Sequence, residues 1–158
     1  MPTNPLAQLL TDDHQAIDEV IDAFLADPSG VARATAPMRA AITGLRRHIY
    51  LEEEIIFPAL PDARLAAPVM VMEREHAQIW QTLAALEREI EARSGGGVPA
   101  TEHAKALRAV LEQHNFKEER VVYAAFEAIP EQTARRIGAL VAATAAAPDG
   151  WVCRLARG

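Results

Sequence analysis

Apolar residues recur every three or four positions through most of the chain, the period of helices that each bury one face. Leu6, Leu10, Ile17, Ile21 and Phe24 predict a first helix from about Pro5 to Ala26, ended at DPSG, where Pro28 and Gly30 break the pattern. Ile42, Leu45, Ile49 and Ile56 predict a second, from about Ala34 to Phe57, closed by PALPD. Val69, Met72, Ile79, Leu83, Leu86 and Ile90 predict a third, from about Ala67 to Arg93, stopped by SGGG. Leu107, Val110, Leu111, Val121 and Val122 predict a fourth, from a cap near Thr101 and Glu102 to just before Pro130, and residues 131–146 predict a shorter alanine-rich fifth. Short connections between long helices make neighbours antiparallel. The expected fold is therefore all-α: an up-down-up-down four-helix bundle over residues 1–130, with a short C-terminal helix and tail, 131–158, packed on the same domain.

Polar residues interrupt the stripes at particular places. At about 100° per residue, His14, His48, His76 and His114 fall on the apolar faces of the first four helices, one on each. Counted from the loop centres near Gly30, Asp62 and Gly97, the four histidines come to one level of an antiparallel bundle. Glu52 and Glu118 follow His48 and His114 by four residues, about 40° around the axis, so each shares its histidine's face one turn on. Glu53 and Glu119, at i+5, lie about 140° away and read as outward, or as supports behind the site. Tyr50 and Tyr123 lie about 160–180° from their local histidines, which argues against a radical or proton-relay role for them.

The chain also echoes itself. HIYLEEEIIF, from His48, matches HNFKEERVVY, from His114, as His, any, aromatic, any, Glu, Glu, any, aliphatic, aliphatic, aromatic. DHQAIDEVIDAF, from Asp13, answers EHAQIWQTLAAL, from Glu75. Two helix pairs of similar plan would each supply two inward histidines and one inward glutamate, which makes a pseudo-twofold site at the middle.

Two carboxylates and four imidazoles in an apolar layer cost several kcal/mol each if nothing compensates them. No Lys or Arg lies on these faces. A pair of divalent or trivalent metal ions does compensate them, with imidazoles at the outer positions and carboxylates between the ions. One inward histidine alone would read as a hydrogen-bonded core residue; four at one level with two glutamates read as a metal site. His103 reads as a solvated residue near a helix start, the remaining EEE and EER acids as a solvated face, and Met38 and Met70 as packing residues. Trp80 and Met72 flank His76 and would make access to the site apolar.

Composition narrows the partners. Half of the 158 residues are hydrophobic and the net charge is -6, with no basic stripe, so a nucleic-acid partner is not expected. The first residues lack a charged and apolar signal pattern, and the longest apolar run, about 137–147, is too short to span a bilayer. The single cysteine, Cys153, allows no internal disulfide, reads as a plain thiol, and fits a cytoplasmic location.

The succession of His14, then His48-x-x-x-Glu52-Glu53 followed by FPAL, then Glu75-His76, then His114-x-x-x-Glu118-Glu119 resembles the hemerythrin-like (HHE cation-binding) domain over residues 13 to about 127. That resemblance implies a non-haem di-iron centre, two iron ions bridged by carboxylates and an oxo or hydroxo group, with His14, His48, Glu52, His76, His114 and Glu118 as ligands. Oxygen-carrying hemerythrins have a second histidine one turn from the first on the third helix, where this chain has Met72 and Trp80. One iron would then be more open, water-ligated, or bound by a further carboxylate such as Glu75, which argues against stable reversible O2 carriage. On the fourth helix their carboxylate comes at i+5, whereas the repeat with Glu52 favours Glu118. The expected function is binding and redox processing of O2, nitric oxide or peroxide, with an oxidoreductase that consumes peroxide or nitric oxide as one form of it and the electron donor unidentified. The alternatives are a sensor of oxygen or iron, or an iron donor, without turnover; or a structural bundle, monomeric or a homodimer, that binds another metal or none.

Overall fold

The structure, a computed structural model, describes residues 4–26, 31–92 and 98–157, and all regular structure among them is helical. Helix α1 is Pro5–Ala26, α2 Val31–Leu51, α3 Ala66–Ala92, α4 Val98–Lys117 and α5 Glu131–Ala143. The expected breaks at DPSG and SGGG lie outside the described residues, at 27–30 and 94–97. Helix α2 begins earlier than Ala34, and α4 at Val98 rather than at a Thr101 cap; Pro99 sits in the first turn of α4, where its missing N–H is no loss. Helix α5 stops at Ala143 because Thr144 is extended.

Asn4 starts α1. Its side-chain oxygen accepts from the Leu6 and Ala7 N–H groups at 3.0 and 3.3 Å, satisfying donors that a helix start leaves free. Its amide donates to the Phe126 carbonyl at 3.4 Å. Helix α1 packs against α2 and α4, and α3 against α2 and α4, so the long helices form a helical bundle.

The core comes in two apolar blocks. One holds Ile17, Ile21, Phe24, Ile42, Leu45, Ile79, Leu83, Leu86, Leu107 and Leu111; the other holds Leu6, Leu10, Leu51, Ile56, Phe57, Met72, Val122, Tyr123 and Phe126. Each fully buried Leu, Ile or Phe contributes roughly 1.5–3 kcal/mol, which offsets the polar layer described below. The C-terminal elements join both blocks: Cys153 is buried in the first, and Ile137 and Val141 of α5 in the second.

Neither α2 nor α4 runs on as a uniform α-helix. Each passes into a π turn, Glu52–Ile56 and Glu118–Val122, and then into a 3-10 turn, Phe57–Ala59 and Tyr123–Ala128. A π turn closes its hydrogen bonds one residue later than an α turn, so everything beyond it is set back by about one residue, roughly 100°. Val121, expected on the apolar stripe, is therefore exposed, while Val122 takes the buried position. The same shift turns Phe57 and Tyr123 inward.

Candidate metal centre

All six expected residues meet in one layer: His14, His48, Glu52, His76, His114 and Glu118 are each buried. They form two four-residue groups whose ligand atoms lie within 4.8 Å of one another. One is His14, His48, Glu52 and Glu118; the other is Glu52, His76, His114 and Glu118. Both glutamates belong to both groups. Glu52 divides its oxygens, Oε1 lying 2.9 Å from His48 Nε2 and Oε2 3.1 Å from His76 Nε2. Glu118 Oε2 lies 3.4 Å from His14 Nε2 and 3.3 Å from His114 Nε2.

Every ring is held from behind by a carboxylate. His14 Nδ1 donates to Glu119 at 2.9 Å, His48 Nδ1 to Asp13 at 3.2 Å, His76 Nδ1 to Glu53 at 2.9 Å, and His114 Nδ1 to Glu75 at 3.0 Å. The residue before each histidine of α1 and α3 thus supports the next helix's ring, and the residue after each shared glutamate supports the ring on the other side. The internal repeat of the sequence reappears as a pseudo-twofold arrangement. A carboxylate only accepts, so each Nδ1 carries a proton and each Nε2 is the ring nitrogen turned inward.

Sequence reasoning placed Glu53 and Glu119 outside the site or behind it; they stand behind it, with Glu53 fully buried. Asp13 has the same supporting place, and the sequence signal for it was its match to Glu75 in the repeat. Glu75 faces Nδ1 of His114 and the ammonium of Lys117, not the space between the rings. Met72 is buried, but Trp80 is half-buried against Trp151 with the Arg46 guanidinium over its ring, so it does not line the site. Met38 is core, whereas Met70 is exposed. His103 is half-buried and belongs to neither group.

Tyr123 is the main correction. Read on a straight helix it faced away, but the π turn carries its hydroxyl into the site, where it donates to Glu52 Oε1 at 2.5 Å. The Tyr123 hydroxyl oxygen lies 3.2 Å from both His14 Nε2 and His48 Nε2. Phe57, its counterpart in the repeat, stacks on His76 with ring centroids 6.0 Å apart. One half of the site has a phenol and the other a phenyl ring.

Several atoms are left with nothing satisfactory to bind. Among the described residues, Glu52 Oε2, Glu118 Oε1 and His76 Nε2 have no hydrogen-bond partner, the first and last facing each other without hydrogen-bond geometry. His14 Nε2 and His48 Nε2 stand 3.0 Å apart, lone pair to lone pair unless a cation or a proton lies between them. Electrostatics agrees. Burial alone would lower the pKa of His48 and His114, yet the carboxylates of Glu52 and Glu118 with the supporting acids outweigh it and push both to about 10. His14 and His76 are raised in the same way against the same burial. Burial, and for Glu118 the Glu52 charge, would raise the two carboxyls, but the histidines outweigh this, holding Glu118 at about 2 and Glu52 well below the usual carboxylate range. Burial and the two carboxylate charges push the Tyr123 phenol well above its ordinary value. The pocket is built to hold positive charge, and imidazole with carboxylate suits transition-metal ions such as iron or zinc.

A cavity of about 370 Å³ reaches Glu119 and Tyr123 between Ala7, Thr11 and Ala124, and a larger one, about 670 Å³, lies between α1 and α5; none of the six inward residues lines either. No helix among the described residues is long and apolar enough to cross a membrane. The sequence model of the family described as hemerythrin HHE cation binding domain matches residues 6–126. No curated protein and no solved structure matches the chain.

Proposed function

The chain belongs to the hemerythrin HHE cation-binding domain family, and on that footing we propose that it is a non-haem di-iron protein that binds and redox-processes O2, nitric oxide or peroxide. One observation carries the reading: two ligand groups share Glu52 and Glu118, a geometry suited to two ions side by side. His14 and His48 would hold one iron, His76 and His114 the other, with the two glutamates between them. Iron bound there supplies electron transfer to small oxidising ligands and Lewis acidity toward them.

The chain's own residues do the rest. Asp13, Glu53, Glu75 and Glu119 keep the Nδ1 protons in place, so the Nε2 atoms stay directed inward. Tyr123 holds its proton on the line to Glu52 Oε1. The apolar blocks above and below the layer exclude water, and the cavity beside Glu119 and Tyr123 gives a small uncharged ligand its approach. With this go an alternating up-down order of the four long helices and the inclusion of residues 131–158 in the same domain. A reducing cytoplasmic setting for the buried free Cys153 and a separate electron donor complete the proposal.

Reconstitution with ferrous iron under anaerobic conditions tests the reading. Two irons per chain and near-ultraviolet absorption that changes on adding peroxide or nitric oxide are expected. Catalytic loss of either ligand separates an oxidoreductase from a sensor or iron donor. A folded chain that takes up no iron overturns the di-iron reading and leaves a structural bundle.

A further inference from the structure

The two halves of the centre share their glutamates but are backed unequally. Behind His14 and His48 stand Glu119 and Asp13, 36% and 31% exposed; behind His76 and His114 stand Glu53 and Glu75, 0% and 21% exposed. The burial of Glu53 accompanies the segment Trp151–Arg157, which lies beyond the residues that the family model matches. The Arg154 backbone N–H donates to Glu53 Oε2 at 2.9 Å, while Glu53 Oε1 accepts from His76 Nδ1 at 2.9 Å. The carboxylate is held on one oxygen by main chain and on the other by the ring. The same segment is itself anchored. Cys153 is buried in the core, the Trp151 indole donates to Glu54 at 3.2 Å, and the Arg154 guanidinium donates to the Glu53 carbonyl at 3.3 Å. Glu119, the counterpart of Glu53 in the repeat, has His14 as its hydrogen-bond partner and no other among the described residues, and it lines the open cavity.

We infer that the segment Trp151–Arg157 fixes Glu53 and, through it, His76, so that the two metal positions are inequivalent: the His76–His114 position retains its ion and the His14–His48 position exchanges. The inference rests on the two-ion reading above. The physical reason is that a ligand ring must turn for its ion to leave. A ring whose supporting carboxylate is bonded at both oxygens and buried turns less often than one whose support is about a third exposed to water. Arg154 is a positioning residue acting through its backbone.

Substitution at Arg154 separates the backbone link from the side chain. Cys153, before it, has φ -60° and ψ 151°, and Arg154 opens a 3-10 turn, so Arg154→Pro suits the local backbone while removing the N–H. Arg154→Ala removes the guanidinium and keeps the N–H. With both irons loaded as ferrous ion, a colorimetric chelator should draw iron from the unsubstituted protein in two phases of equal size. Arg154→Pro should speed the slow phase about tenfold to a hundredfold and leave the fast one. Arg154→Ala should leave both near their original rates. Should Arg154→Pro not fold, Glu53→Gln reads the same link, since an amide oxygen cannot serve both donors as the carboxylate does, and the slow phase should quicken likewise. Two irons leaving in one phase, or a slow phase indifferent to Arg154→Pro and Glu53→Gln, overturns the inference and leaves the di-iron reading standing. No iron uptake by the unsubstituted protein overturns both.

Discussion

Glu52 is the side chain on which both halves of the centre depend, because its two oxygens are divided between His48 and His76. Glu52→Gln keeps the shape but puts an NH2 where one half needs an acceptor, so uptake at both positions should weaken about tenfold to a hundredfold or more. Asp13→Asn should weaken the His14–His48 position alone. Chelator competition on the two variants distinguishes a shared ligand from a local support, and equal losses would contradict the division. Tyr123 tests the site without metal. Its hydroxyl is a buried donor to a carboxylate, so Tyr123→Phe should cost the metal-free protein about 1.5–3 kcal/mol in urea denaturation. Unchanged stability would mean that Glu52 is held by the histidines alone. The six inward residues were legible because a one-per-turn spacing survives any small bend of a helix. Tyr123 was not, because it lies beyond the π turn and no residue in EERVV announces one.

At the scale of elements, the extent of α1 and the start of α3 could be read from the 3.6-residue period, since their stripes are long. What could not be read is the pair of π turns, which change the phase of the chain by one residue beside the site in both α2 and α4. The repeat held the clue in its last position, where Phe57 and Tyr123 correspond though a straight helix would expose both. Contacts that set α5 against the bundle were also invisible, being made by side chain to main chain at long range. Arg47 of α2 donates to the Thr144 carbonyl at 2.6 Å and to the Val141 carbonyl at 2.9 Å, the latter also accepting the Thr144 N–H at 3.2 Å, and so caps the end of α5. Arg47→Ala should therefore destabilise the fold by about 1–3 kcal/mol. Arg47→Lys should recover only part of this, because an ammonium lacks the planar fork that reaches both carbonyls. An Arg47→Lys variant that melts with the unsubstituted protein would show that charge, not the fork, makes the contact.

At the scale of the whole molecule, protons and metal ions compete for the same interior. Without metal, His48 and His114 have folded pKa values near 10 against an ordinary 6.5, so protonated rings stabilise the fold. That contribution is complete below about pH 6.5 and is lost as pH rises toward 10. Glu118 works in the opposite sense: held at about 2 against an ordinary 4.5, it stabilises the fold above about pH 4.5 and ceases to as pH falls through 2. As far as these groups decide it, the metal-free protein should be most stable between about pH 4.5 and 6.5. Metal binding runs the other way across the upper range, because each ion must displace protons from Nε2 atoms, so apparent affinity rises from pH 6.5 to 10. Melting temperatures of the metal-free protein should therefore fall between pH 6.5 and 9.5 while those of the loaded protein hold or rise, and loading in weak buffer should release protons. A metal-free protein that gains stability over that range, or that loads without releasing protons, would show that the rings are neutral before metal arrives.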